Sequence, residues 1–484
     1  MASNESSNSR SNAADSDRGW TTLVLVFALT IRIGAACYWQ DSADRDGTLL
    51  RFGDSHSYWT MASNLTHGQS FQYGSAESKL FRAPLYPLLL APFTTLGTGE
   101  PNYTSVLLVR FTGCAIGTWT VWLIMLFARR LGGKPCSRIA GLLASVYPGA
   151  VGMSLFVLSE AIATPLFVAS CYGLWLVIDR FDRADINSPP ERNRDSDPTQ
   201  LSDRAIASNQ SPLWWVKLML LAGGCLGLAC LARPSWSLWP VVVIPFLWTA
   251  TRRSPSWSLH RRLLAIFLLC MGMGLAMAPW WVRNYTITGK WVPTTLQVGA
   301  SLYDGWHPGA SGSSDENMDF VMDFLVAQQA EDAMLAKQGL PLESTLEWRL
   351  DRRMRRAAFA WACENPSDVV RLGLVKLRKT WMPLPVAREV SNPWIRWSEA
   401  FGVSFLAITA WVGAWRLRRV RGAWLGLMPC VYLAILHAIF IGSVRYRQPG
   451  VLLLCPLAAV GCAAIMEWIQ HRRNGTSEHQ RETA

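Results

Sequence analysis

Long apolar runs alternate with short polar ones along this chain, and the apolar runs approach the ~20 residues that cross a bilayer as a helix. A window of about 19 residues predicts about ten such segments, near 20–39, 105–128, 138–152, 156–178, 213–231, 236–250, 262–281, 399–415, 423–441 and 449–468. The third and sixth are short, so the count is good to about one either way. No internal repeat is evident.

Lysine and arginine in the short turns predict the orientation. "ARRLGGKPCSR" follows the second segment, "TRRSPSWSLHRR" the sixth, "RLRRVRG" the eighth and "HRR" the tenth. If these face the cytoplasm, both termini do too. Residues 1–19, polar and low in complexity, read as a disordered cytoplasmic tail, and 471–484 as a second cytoplasmic tail. Residues 20–281 then form an N-terminal transmembrane module with an outer loop at 40–104 and a Pro/Ser-rich, disordered cytoplasmic loop at 179–212. Residues 282–398 form a small outer helical region, and 399–470 the C-terminal transmembrane helices. In the outer region Ser344 and Glu347 have capping-box spacing. Asn365 followed by Pro366 predicts the start of an amphipathic helix lying on the lipid surface.

Composition strengthens the membrane reading. Half of the 484 residues are apolar and 17% are charged, against roughly 25% in soluble domains. The 25 Trp residues exceed what a soluble core needs, and Trp favours the lipid–water boundary. The net charge of +12 is largely the arginine-rich turns, so it does not call for nucleic acid. The eleven cysteines lie mostly in apolar segments without CxxC spacing and read as small packing residues. Small residues in "GGCLGLAC" and "MGMGLAMAP" predict close helix contacts.

Exceptions to the orientation rule carry the chemistry. Arg82, Arg233, Arg283, Arg445 and Arg447 fall at outer ends of spans, where topology does not need them. Any one of them could snorkel to a lipid phosphate. Together they offer forks of donors that match phosphate oxygens. Asp54, in "RFGDSHSYW", lies directly beyond the first span, and Glu160, in "FVLSEAIATPLF", lies at an outer turn. Asp54 reads as a general base or as a solvated acid at a helix start, and Glu160 as a functional acid or a helix-start acid. A carboxylate beside a phosphate clamp points to group transfer, with the arginines stabilising a departing phosphate.

The order of motifs, a first-loop Asp54 with Tyr58, then "FRAPLYPLLLAP", "LSE", "APWWVRNYTITGKWVP" and "VRYRQPGVLLLCPLAAVG", resembles the GT-C membrane glycosyltransferases. Within them it is similar to the bacterial branch related to protein O-mannosyltransferases and the lipid A aminoarabinose transferase, over about residues 20 to 470. The resemblance implies an all-α polytopic membrane protein of GT-C type, with interfacial helices in its first outer loop. It implies an inverting transfer of a hexosyl or pentosyl unit from a polyprenyl-phosphate-linked sugar donor to an acceptor on a lipid, glycan or protein. It also implies a bacterial inner-membrane location with the site facing the periplasm. Asp54 takes the place of the family's general base. Tyr58, Arg82 and Tyr86 line the same cavity, Glu160 is a second acid for a sugar hydroxyl or an optional divalent cation, and Arg283, Arg445, Tyr446 and Arg447 lie near the donor phosphate. Many relatives carry an acidic pair in the first loop. Here Ser55 and His56 follow Asp54, which counts against tight metal binding. His56 either assists proton transfer or is a polar loop residue.

The Gly-rich stretch Gly299–Asn317 reads as a flexible acceptor-gating loop, with Asp304 and His307 facing the sugar. Asn64, Asn102 and Asn284 match the glycosylation acceptor pattern and carry little weight. A lipid-linked oligosaccharide ligase is the nearest competing activity. A transporter or flippase is the competitor without transfer chemistry, and it should carry polar groups and broken helices in mid-membrane, with repeats.

Overall fold

A computed structural model describes residues 2–186, 213–252, 254–315, 318–385 and 392–482. Among them there are helices and turns and no strand. Most of the expected loop at 179–212 lies outside the described residues. Its first part continues a helix to Ile186. The polar stretch expected as a tail at 1–19 is helical from Ala2, continuous with the first span.

The membrane part comprises α1 (Ala2–Arg45), α4 (Tyr103–Val146), α6 (Glu160–Ile186), α7 (Trp214–Ala232), α8 (Trp239–Thr251) and α9 (Leu259–Thr288). It continues in α14 (Pro393–Arg416), α15 (Met428–Ile439), α16 (Val444–Leu452) and α17 (Cys455–Glu482). Between α1 and α4 lie two short helices, α2 (Gly53–Thr66) and α3 (Leu85–Thr94), and α5 (Pro148–Leu155) follows α4. Helices α10 (Val298–Gly305), α11 (Phe320–Lys337), α12 (Leu346–Glu364) and α13 (Pro366–Trp381) make up the region after α9.

Among the described residues, six helices are long and apolar enough to span a membrane, or seven if the pair α16 and α17, bent by 61°, is one span. The expected ten are not reproduced as continuous helices, for local reasons. The second and third expected segments share α4, which breaks where Gly132 and Gly133 leave helical φ/ψ just before Pro135. The sixth is α8, whose 13 residues reach only about 20 Å of a ~30 Å core. The eighth, in α14, is long enough but less apolar.

Glycine lets the spans approach closely, as the small-residue motifs predict. A Cβ on Gly223 of α7 would strike the Leu269 carbonyl, and one on Gly272 of α9 would strike the Leu220 carbonyl. Arg32 and Arg110 sit buried inside the bundle. Arg32 donates to Ser154 Oγ at 3.1 Å and to the Ala144 carbonyl at 3.0 Å. Arg110 donates to Gln40 Oε1 at 2.6 Å and to the Leu155 carbonyl at 2.8 Å. Their guanidiniums satisfy carbonyls freed at helix ends, so they join the frame.

The region after α9 packs on this frame. Gly289 caps α9 with φ 63°, a left-handed conformation that costs a glycine little. The capping box expected at Ser344 and Glu347 does not form. Thr345 caps α12 by accepting from the Trp348 amide, Ser344 Oγ donates to the Thr288 carbonyl at 2.6 Å, and Glu347 reaches away from its own helix. Helix α13 begins as expected, with Asn365 at the N-cap and Pro366 in its first turn. It buries Leu372, Lys376 and Thr380 and exposes Val370 and Leu374.

Candidate active site

Five helix junctions converge at one place. Helix α2 carries Asp54 in its first turn, where a helix start favours an acid. The carboxylate does not cap the helix. It accepts from Arg82 Nη2 at 2.6 Å on one oxygen and from Arg445 Nη2 at 2.5 Å on the other. Arg82 lies in the linker just before α3, and Arg445 in the first turn of α16.

Glu160 opens α6 and Arg233 directly follows the end of α7. These helices pack as consecutive, oppositely running neighbours, which brings their Glu160 and Arg233 ends together. One Glu160 oxygen meets Arg233 Nη1 at 2.7 Å and Arg445 Nε at 2.8 Å. Arg445 therefore bridges both acids. The two differ in access: the Asp54 side chain is 26% exposed and the Glu160 side chain 2%. Burial would push the Asp54 carboxyl up, but Arg82 and Arg445 beside it hold it well below the usual carboxylate range.

Aromatic rings wall the cluster. The guanidiniums of Arg233 and Arg445 each lie 5.0 Å from the centre of the Tyr446 ring, which also stacks on His437. Arg82 lies 5.2 Å over Tyr58, whose ring meets Tyr86 edge-on. Tyr58 donates to Ser159 Oγ at 3.0 Å, and Ser159 lies beside Glu160. Burial pushes both phenols up, so they stay protonated hydrogen-bond donors.

Eight of the sequence-predicted residues thus meet: Asp54, Tyr58, Arg82, Tyr86, Glu160, Arg233, Arg445 and Tyr446. Three do not join this contact network. His56 is exposed, two residues and about 200° around α2 from Asp54. Arg283 donates to the Lys79 carbonyl at 3.2 Å and packs over Trp280 and Phe71. Arg447 is fully buried on the other side of α16, donating to the carbonyls of Thr380 and Met382 and to Glu399. The Gly-rich loop also differs from expectation. Asp304 is buried and accepts from Ser314 Oγ and the Asp315 amide, so its carboxylate holds the loop. Lys379 binds Ser311 and Ser313, and His307 stacks on Tyr303. Its residues 316–317 lie outside the described ones.

Sequence reasoning missed Ser57 and Gln297, which accept from Arg82 at 3.0 and 2.9 Å. Ser57 stood inside the motif that drew attention to Asp54, whereas Gln297 carried no signal.

A divalent cation would need open anionic oxygens. With Arg445 seated between them, Asp54 and Glu160 present no open pair. Among the described residues, no three of His, Cys, Asp and Glu converge on another such site.

No protein-family model matches the sequence, and no curated protein matches it. Solved structures do. The oligosaccharyltransferase AglB from Archaeoglobus fulgidus, in complex with an inhibitory peptide and a dolichol-phosphate, superposes with a TM-score of 0.53 at 12% identity, covering 95% of this chain and 52% of that one. Its apo form gives 0.54 at 14% identity over the same shares. ArnT from Cupriavidus metallidurans, bound to undecaprenyl phosphate, gives 0.38 at 15% identity, covering 92% of this chain and 77% of that one. This chain spans about half the length of the oligosaccharyltransferase. Over the half of the oligosaccharyltransferase that it spans, this chain shares that protein's fold.

Proposed function

We propose that this chain is a membrane glycosyltransferase that moves one sugar from a polyprenyl-phosphate donor to an acceptor hydroxyl or amine on a lipid, glycan or protein. The observation that carries the reading is Arg445 bridging Asp54 and Glu160, with Arg82 and Arg233 on either side. Asp54, the more accessible acid, is the base. Glu160, buried, holds Arg233 and Arg445 in place.

The reaction runs as follows. The acceptor oxygen or nitrogen attacks the anomeric carbon on the face opposite the phosphate, which inverts it. The bond from that carbon to the phosphate oxygen breaks, the acceptor proton passes to Asp54, and polyprenyl phosphate leaves with both electrons of that bond. Three guanidiniums against two carboxylates leave the cluster one positive charge in excess. That matches the single charge of a phosphodiester donor, and its stabilisation grows as the leaving phosphate gains a second charge. A diphosphate-linked oligosaccharide brings more negative charge than this cluster balances, which favours the single-sugar donor over the oligosaccharide ligase.

In the resting site Asp54 is a weak base, because two arginines hold it charged. When the donor phosphate draws Arg82 and Arg445 to itself, the carboxylate loses those partners and its proton affinity rises. Proton abstraction then waits for the donor. The reading includes a bacterial inner membrane with the cluster facing the periplasm. Arg-rich turns such as Arg129–Arg130, at the opposite ends of the spans, support it.

The deciding experiment compares envelope lipids, glycans and proteins by mass spectrometry with and without the gene. The expected result is the loss of one hexose- or pentose-sized increment from one acceptor class. Loss of a whole oligosaccharide favours the ligase, and no change in any class overturns the transfer reading.

A further inference from the structure

The segment Ser78–Arg82 joins the first outer loop to the region after α9, and its backbone is held on both sides. Glu347 of α12 accepts from the amides of Lys79 and Leu80 at 2.9 and 3.0 Å, and from Ser78 Oγ at 3.4 Å. The Leu296 amide donates to the Leu80 carbonyl at 2.9 Å, and Arg283 donates to the Lys79 carbonyl. The Leu80 side chain is fully buried against Val292, Leu296, Ile287 and Trp348. Two residues further on, Arg82 reaches Asp54.

The N-cap of α12 is Thr345, one residue later than expected, so Glu347 falls at the second helical position and not at the third, where a capping-box glutamate turns back to the N-cap amide. Here Thr345 caps α12 alone, and Glu347 binds two amides some 270 residues away in the chain. The arrangement also gives Arg283 a place outside the phosphate cluster. Neither side chain touches Asp54, yet both act on the strap that carries Arg82.

We propose that Glu347 is a positioning residue for the donor site: by fixing the Lys79 and Leu80 amides it sets the reach of Arg82 to Asp54 and to the donor phosphate. The proposal rests on reading the Asp54 cluster as a donor site. It makes the region after α9 part of the donor-binding machinery, so a disturbance of α12 is felt at a guanidinium it does not contact.

The test uses the full-length protein in lipid nanodiscs, with undecaprenyl phosphate as the probe. Amide hydrogen exchange over 78–84 and affinity for the probe are measured in wild type, Glu347→Ala, Glu347→Gln, Arg82→Ala and the Glu347→Ala/Arg82→Ala pair. The expected result is faster exchange at 78–84 in Glu347→Ala, and an affinity loss of about tenfold that Arg82→Ala does not deepen, as for two residues acting through one contact. Glu347→Gln, which keeps a carbonyl acceptor, restores most of both. Unchanged exchange at 78–84 in Glu347→Ala overturns the proposal, as do affinity losses that simply multiply. If the wild type does not bind the probe, the donor reading and the donor-site role of Glu347 fall together, while the exchange data report the strap by itself.

Discussion

Asp54 and Arg445 stand 391 residues apart in the chain, and their side chains meet at 2.5 Å. That one contact ties the first outer loop to the junction between α15 and α16. It makes a sharp prediction for Asp54→Asn, which keeps the shape of the side chain and removes the base. Sugar transfer falls by about 10²- to 10⁴-fold, the usual worth of general base catalysis. Affinity for undecaprenyl phosphate is retained or improved, because Arg82 and Arg445 lose a competing anion. Initial rates and probe titration on the same preparation check both parts, and unchanged turnover removes Asp54 from the mechanism.

Arg445 faces two acids, and a single ammonium cannot reproduce a planar fork. Arg445→Ala leaves buried Glu160 with one guanidinium, so the folded state should lose on the order of 3 kcal/mol. Arg445→Lys should recover much of the thermal stability and little of the transfer rate. A lysine variant with wild-type turnover shows that charge alone suffices there.

The state of the base should be visible in pH profiles. In the free protein the Asp54 carboxyl lies well below the usual carboxylate range. A depressed acid contributes stability above its unfolded value, and that stability is lost as pH falls through the folded value. Across pH 5 to 8 free Asp54 therefore stays charged, and kcat/KM shows no acid limb from it. In the donor complex the arginines move to the phosphate, so kcat acquires an acid limb at higher pH than kcat/KM does. Superimposable limbs for the two parameters defeat the exchange of partners.

Much of this site was legible before any coordinates, because charge beside an apolar run is conspicuous. Asp54 stood out for following the first span, and Arg82, Arg233 and Arg445 for breaking the inside-positive pattern. What a linear reading lacks is phase. Arg445 and Arg447 look equivalent in "RYR", yet once a helix starts at Val444 they point about 200° apart. Glu347 was visible as a capping residue, and its true partners were hidden because they lie in a distant loop. The window set 105–128 apart from 138–152, and the break at Gly132–Gly133 inside α4 falls between them; what it does not weigh is whether each segment is long and apolar enough to span as one helix.

Glu347 also predicts a pH effect on stability. Burial raises its carboxyl to about 7, against the amides of Lys79 and Leu80 that favour the charged form. Asp351 on its own helix raises it further, and Arg283 of α9 is the cation that faces it. Its folded value thus exceeds the ordinary 4.5, so the folded state binds the proton more tightly. Stability from this group is full below pH 4.5 and is lost as pH rises to about 7. Thermal unfolding across that window should decline in wild type more than in Glu347→Gln, and equal slopes refute the assignment.

Arg447 provides the contrast that separates frame from chemistry. Its guanidinium is fully buried and binds the carbonyls of Thr380 and Met382, at the end of α13, together with Glu399 of α14. Tyr147 and Gln448 donate to the same Glu399 oxygen at 2.8 Å each, so Arg447 closes a network that locks α16 to α14. Removing it leaves a buried carboxylate short of the cation it pairs with, which costs on the order of 3 kcal/mol. Arg447→Met, close in length, should lower the unfolding temperature as much as Arg445→Ala does. The folded fraction should still bind undecaprenyl phosphate with wild-type affinity, because α16 turns Arg447 away from Asp54. A selective loss of affinity in Arg447→Met, with stability intact, places this arginine at the phosphate and refutes its assignment to the frame.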